Sequence, residues 1–319
     1  PPRCIYTNGG SKEAKMTPDG RFVAFVSDNW NLQNLVFDPM ASGAFDVHLR
    51  DRCVSNGVAV GGCVPANVKI STGVGGAYCA SPMVGFSSSP AVSDDGRYVA
   101  FGSNCTNLVA GDANGKPDVF VRDTCRSHGV VVHGCVVGTE RVSDVVGAPD
   151  AGGTVDQGTV DMSADGRWVV FTAQIGFAMR EQVLVRDRLL GTTEVASLTT
   201  QGAESFGNFA RNPQISADGR FVLFSSETNM APGNSGGINS LFMRDRLLRT
   251  TERVSVGTDG TLSDGFVFFG RMSRDGRFVA FQTDSTTLLG PGGDTNAVND
   301  IFVRDRLVNV TKRVSVAYD

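Results

Sequence analysis

Two loops of this 319-residue chain carry oxygen side chains at a spacing that could gather a hard cation. The stretches Gly111-Asp112-Ala113-Asn114 to Asp118 and Gly293-Asp294-Thr295-Asn296 to Asp300 place carboxylates and amides at relative positions one, three and seven. Calcium loops converge ligands in this way. The bidentate Glu that completes an EF-hand is missing downstream, and the matching stretch of the fourth repeat has decayed to Asn234 and Ser240. Calcium binding and plain turn capping therefore both stand open for Asp112, Asn114, Asp118, Asp294, Asn296 and Asp300.

A second set of polar residues recurs two positions before a conserved-looking Ser or Thr of each repeat: Lys15, Asp161, Gln214 and Arg271, with Ala91 in the second. If they line a central channel, they form a small mixed-charge ring, either a ligand or catalytic site or a set of mutually neutralising groups around water. The three histidines, His48, His128 and His133, have no nucleophile nearby in sequence. No Gly-x-Ser-x-Gly elbow, P-loop or paired-His motif is present.

The cysteines have a regular placement. Cys53 and Cys63 lie ten apart, and Cys125 and Cys135 repeat that spacing at the corresponding place. A loop that gains two cysteines together, twice, predicts a disulfide staple in each. Cys79 and Cys105 are expected to form a third bridge, which leaves Cys4 free, exchanging, or bridging to another chain.

The elements that position these groups follow from a phrase said five times. Thr17 to Phe25, Ser93 to Phe101, Ser163 to Phe171, Ser216 to Phe224 and Ser273 to Phe281 each contain Asp-Gly-Arg, an aromatic and an apolar run. Asp-Gly between apolar segments predicts a hairpin with a two-residue I′ turn. The consecutive apolar residues after it predict a strand covered on both faces. A third strand follows in Asp46 to Asp51, Asp118 to Asp123, Gln182 to Asp187, Ser240 to Asp245 and Asp300 to Asp305, and a fourth ends near Ser71, Ser143, Ser197, Ser255 and Ser315. Because Arg-Asp recurs in every third strand, it is read as structural pairing across strands rather than as a unique active site.

Four antiparallel strands repeated five times predict an all-β, five-bladed β-propeller. The expected blades are roughly 1–75, 76–146, 147–200, 201–258 and 259–319, in one domain. Ser-x-Asp-Gly-Arg-Phe-Val-Ala-Phe followed by Asp-Val-Phe-Val-Arg-Asp resembles the WD40-like PD40 repeat of TolB-type propellers, in the form found in secreted bacterial proteins. The resemblance implies the fold over the whole chain and says little of function, since such propellers serve as binding modules, scaffolds and occasionally enzymes.

Composition narrows the classes. A hydrophobic content of 41% supports a large core, and a net charge of -4 without a basic cluster argues against nucleic acid. No apolar run is long enough to span a membrane. The absence of an N-terminal signal segment is expected of a cytosolic chain or a processed one, and the cysteines favour an extracellular or periplasmic protein. The loop with Trp30, Leu32, Leu35, Phe37 and Met40 is expected to pack as a lid or offer a partner patch. The Asn104 and Asn309 sequons carry glycans only in a host that makes them. These features favour a non-catalytic module binding a protein or glycan. The alternatives are a subunit self-assembling through Cys4 or a terminal strand, and a polysaccharide hydrolase or lyase.

Overall fold

The computed structural model describes residues 10–28, 45–81, 85–143, 160–175, 180–204, 210–227, 230–231, 237–290, 293 and 298–316. Cys4, the segment from Trp30 to Met40, Asp294 and Asn296 lie outside the described residues. The chain divides into two compact units, 1–166 and 167–319. Among the described residues there is no α-helix, and a 3-10 turn at Val74–Gly76 is the one helical element.

Unit one begins with β1 (Ser11–Met16), β2 (Phe22–Ser27), β3 (Asp46–Asp51), β4 (Val54–Ser55), β5 (Val58–Ala59) and β6 (Ala66–Lys69). It continues with β7 (Ser87–Val92), β8 (Tyr98–Ser103), β9 (Asp118–Asp123), β10 (Arg126–Ser127), β11 (Val130–Val131), β12 (Gly138–Arg141) and β13 (Val160–Met162). Two four-stranded antiparallel sheets result, ordered β1-β2-β3-β6 and β7-β8-β9-β12, and the pairs β4-β5 and β10-β11 form separate small hairpins.

Unit two begins with β14 (Trp168–Ile175), β15 (Arg180–Asp187) and β16 (Thr192–Val195), paired in that order. Two further four-stranded sheets follow: β17 (Ala210–Ile215), β18 (Phe221–Ser226), β19 (Ser240–Asp245), β20 (Thr250–Arg253), then β21 (Val267–Met272), β22 (Phe278–Thr283), β23 (Asp300–Asp305), β24 (Val310–Arg313). The strand order within each sheet is the one the repeated phrases predict.

The turn differs from the expected I′ type. Positive φ occurs at the glycine alone, between +72° and +74° at Gly20, Gly96, Gly166, Gly219 and Gly276, and at none of the preceding aspartates. The cause is local: each Asp carboxylate accepts a hydrogen bond from the Ser or Thr hydroxyl two residues earlier, as in Ser216 Oγ to Asp218 at 2.6 Å. Gly219 N–H then donates to Ser216 O at 2.9 Å, closing a four-residue turn. A right-handed Asp followed by a left-handed Gly is the three-residue-loop solution to the same hairpin.

All of these glycines but Gly20 accept the aromatic of the preceding repeat. A Cβ added to Gly96 would lie 2.5 Å from the Phe22 ring, at Gly166 2.5 Å from Tyr98, and at Gly276 2.6 Å from Phe221. Only glycine allows both the backbone angle and the contact.

Consecutive burial holds for β8 and β18. It fails on β2 and β22, which alternate buried with half-exposed or exposed residues. On β2 the half-exposed face carries Val23 and Phe25; on β22 it carries Phe278, 39% exposed. A strand covered on one face only reads as alternating. The largest fully buried side chains among the described residues include Phe101, Phe120, Phe171, Phe224, Phe242, Phe281 and Phe302. Six of them pack as pairs across β8 and β9, β18 and β19, and β22 and β23, with ring centroids 5.8 to 6.0 Å apart, and Phe171 stands opposite Leu184 of β15.

Candidate functional site

The recurrent charged pairs form a ladder of structural contacts. Arg21 and Asp51, Arg97 and Asp123, Arg167 and Asp187, Arg220 and Asp245, and Arg277 and Asp305 each make a two-toothed contact from guanidinium to carboxylate. The Arg167 guanidinium holds the Asp187 carboxyl below its ordinary range despite burial, helped by the Leu190 and Leu189 amides. Burial raises Asp51, but Arg21 and the Cys53 amide outweigh it and the net shift is downward.

In the first acidic loop, Asp112, Asn114 and Asp118 do converge, and a guanidinium stands among them. Arg141 Nη1 lies 3.1 Å from Asp112 and 3.5 Å from Asp118, while Asn114 donates to Asp118 at 2.9 Å. Burial, and after it the charge of Asp118, raises the Asp112 carboxyl, which Arg141 only partly offsets. In the last sheet Asp300 is held by Arg313 at 3.0 Å and by Ser315 at 2.6 Å.

The proposed channel residues divide in role. Gln214 is buried and bridges β17 to β21, donating to Gly270 O at 2.6 Å and accepting from Met272 N–H at 3.0 Å. Arg271 is exposed and donates to the same Gly270 O at 2.9 Å. Within unit one, Lys15 on β1 and Asp161 on β13 are half-buried.

All three expected disulfides are present: Cys53–Cys63, Cys79–Cys105 and Cys125–Cys135. His48 is 4% exposed and stacks on Phe25, whereas His128 is exposed on the second stapled hairpin. Asn104 is buried and accepts from the Phe86 amide, so its sequon is inaccessible. Thr311 of the other sequon is buried and donates to Val256 O.

A cavity lies in unit one, between its two sheets. About 650 Å³ is enclosed by the limb from Val60 to Val68 on one side and by Thr124, Arg126 and His128 to Val130 on the other, over Phe22, Leu49 and the Arg21–Asp51 pair. Disulfides staple both walls, since Cys53–Cys63 closes the β4-β5 hairpin and Cys125–Cys135 the β10-β11 hairpin. Arg21 Nη1 donates to His128 O at 2.6 Å and so moors the second hairpin to the first sheet. The corresponding cleft between the last two sheets of unit two holds about 330 Å³.

The difference has a residue-level cause. Arg306, directly after the Arg-Asp pair of β23, plugs the unit-two cleft. It stacks over Phe221 at 4.5 Å, contacts Glu252 of β20 at 2.6 Å and donates to Gly276 O. Arg246 does the same over Trp168 at 3.8 Å, with Glu194 of β16 at 2.5 Å and Gly219 O. In the second sheet that arginine is Thr124, and in β6 the glutamate position is Val68, which pairs with Leu49 as Glu252 pairs with Met243. Neither residue stood out from its chemistry. The break in the repeated Arg-Asp-Arg, at Asp123-Thr124 against Asp187-Arg188, Asp245-Arg246 and Asp305-Arg306, was the available signal.

No family model matches the chain, and no curated protein matches it. Among solved structures it is similar to TolB from Acinetobacter baumannii, at 14% identity over 95% of this chain and 53% of that one, with a TM-score of 0.49. A putative TolB from Agrobacterium tumefaciens is 15% identical over 96% of this chain and 81% of its own, with a TM-score of 0.48. A puromycin-hydrolyzing peptidase from Mycobacterium tuberculosis is 12% identical over 96% and 38%, at a TM-score of 0.51. The chain thus spans about half of the first of these proteins and less of the last. At such identities the likeness shows the fold alone: this chain carries a β-propeller fold, built on repeats that resemble PD40.

Proposed function

We propose that this chain is a non-catalytic, protein-binding module of an extracellular or periplasmic protein, its five repeats serving as blades of one propeller. The observation that carries the reading is the asymmetry of unit one. The charged residues that recur in every repeat are consumed in structural pairs, whereas among the described residues the two disulfide-stapled hairpins, with a cavity between them, belong to unit one. A recognition surface needs such a unique place on a repetitive scaffold. The three disulfides support an oxidising compartment. No helix among the described residues is long and apolar enough to cross a membrane.

Enzymatic action is the competing reading, and a peptidase stands among the similar structures. Among the described residues lining the unit-one cavity with His128, Cys63 is oxidised, Asp51 is tied to Arg21 and the Thr124 hydroxyl donates to Arg97 O. A calcium role for Asp112, Asn114 and Asp118 would require Arg141 to swing away. The test is to incubate the disulfide-intact protein with fluorogenic peptides, esters and acidic polysaccharides. Turnover above the buffer control that is lost with His128→Ala would overturn the binding-module reading.

A further inference from the structure

We propose that the cleft between the two sheets of unit one is a groove for an extended polypeptide segment bearing small branched apolar side chains and a carboxylate. The inference rests on the binding-module reading and names what is bound and where.

The first argument is a paired substitution. In unit two an arginine from one sheet and a glutamate from the sheet before it bridge the inter-sheet clefts and narrow them. In unit one both members are replaced together, by Thr124 and Val68. Losing one partner alone would strand a charge, but losing both converts a closed polar seam into an apolar opening. Thr124 turns away, donating its hydroxyl to Arg97 O at 2.9 Å. Val68 is left 44% exposed, with Val64 at 80% and Val130 at 68% on the facing limbs.

The second argument concerns the shape of the opening. Its walls are valines, not exposed aromatic rings, so they offer nothing for a sugar face to stack on. Gly61 and Gly62, where an added Cβ would meet nothing within 4 Å, leave the rim without side chains, which permits close approach of another backbone. β6, which carries Ala66 and Val68 into the groove, is an edge strand of its sheet. Edge strands are where an extended segment adds, its alternate side chains filling pockets. Both walls are cross-linked, so little ordering remains to be done on binding.

The third argument is charge. Arg21 and Asp51 neutralise each other on the floor. Arg126 and His128 remain exposed at the rim, and Arg126 is a fixed cation. The groove is therefore cationic on a chain of net charge -4, and a carboxylate on the incoming segment complements it.

The experiment uses a phage library of random twelve-residue peptides selected on the immobilised, disulfide-intact chain, followed by fluorescence anisotropy of the selected peptides. Val or Ile at alternate positions together with Asp or Glu is the expected pattern. Binding should weaken at least ten-fold in the Val68→Glu, Thr124→Arg double variant, which rebuilds the arginine-glutamate seam of unit two, and at least three-fold in Arg126→Ala. Val130→Lys, on an exposed hairpin, gives a second block that leaves the sheets untouched. Peptides that bind the double variant and Val130→Lys as well as the parent would overturn the groove while leaving a binding module in place. Failure to select any peptide, or selection of basic sequences without carboxylates, would also overturn it.

Discussion

The Cα of Gly219 lies so close to the indole of Trp168 that a Cβ added there would stand 2.2 Å from Cδ1. Gly202 shares the left-handed backbone, φ +79° against +74°, but has nothing within 4 Å. Comparing alanine at the two sites separates backbone strain from the clash. Gly202→Ala should cost about 1 kcal/mol, the price of a left-handed alanine. Gly219→Ala should cost about 3 kcal/mol or more, because the ring must also move. Urea unfolding followed by tryptophan fluorescence reads both, and equal losses would refute the seating of the turn on the ring.

Asp187 is the second place where one side chain serves several partners. Its carboxylate accepts from Arg167 at 3.0 and 2.6 Å and from the Leu189 and Leu190 amides at 2.9 and 3.2 Å. Asp187→Ala leaves those donors unpaired and should lose about 3 kcal/mol in chemical denaturation. Since Arg167 lowers the carboxyl below 3.8, the parent's advantage over the variant is complete above that pH. It shrinks as acid protonates the folded carboxylate. An advantage that grew below pH 3.8 would contradict the assignment.

His48 takes the β3 position that Phe120 and Phe302 fill in other sheets. Burial, the largest influence, together with Lys69 and against Asp46, lowers its pKa from 6.5 to about 4. Its buried Nδ1 has no hydrogen-bond partner among the described residues. The folded state thus takes up the proton less readily than the unfolded one. The stability from a neutral His48 is whole above pH 6.5 and is lost as pH falls toward 4, about 3 kcal/mol in all. His48→Phe should therefore flatten the thermal midpoint between pH 4 and 6.5 relative to the parent. An unchanged acid slope would show that other groups carry it.

Arg141 makes calcium at Asp112, Asn114 and Asp118 a conditional event. Millimolar calcium or a chelator should leave the thermal midpoint of the parent within about 1 °C, since a guanidinium already neutralises the acids. Arg141→Ala should lower the midpoint, by about 1 to 3 kcal/mol of stability, and calcium should then recover part of the loss. Strong calcium stabilisation of the parent would mean that the cation displaces Arg141.

What the sequence disclosed followed from how each feature is encoded. Strand order and the structural role of Arg-Asp were legible because every repeat restates them at fixed spacing, and two of the disulfides because the first two repeats share a ten-residue cysteine spacing. The I′ turn was misjudged because Asp-Gly alone suggests positive φ at both residues. Whether Asp218 stays right-handed depends on a hydroxyl at Ser216, outside the two-residue pattern. In the first acidic loop, spacing shows which oxygens can converge and not that Arg141, from another strand, lies beside Asp112 and Asp118. The unit-one groove was hidden for the opposite reason: it arises from two neutral residues, Thr124 and Val68, where other repeats carry charge. A departure of that sort becomes visible only when cross-sheet pairing is known.

The glycine-on-ring contact also gives the array a direction. Each repeat presents its turn backward, to the ring of the repeat before it, and its own ring forward, as Phe22 does to Gly96 and Phe221 does to Gly276. Neighbours therefore fit by a one-way rule, like the teeth of a ratchet. Exchanging whole repeats in their reading direction preserves every contact, whereas enlarging one ring is felt by the single glycine that follows it. Sequence change in such a chain can stay confined to one joint, which leaves the first two repeats free to trade a charged seam for an open one.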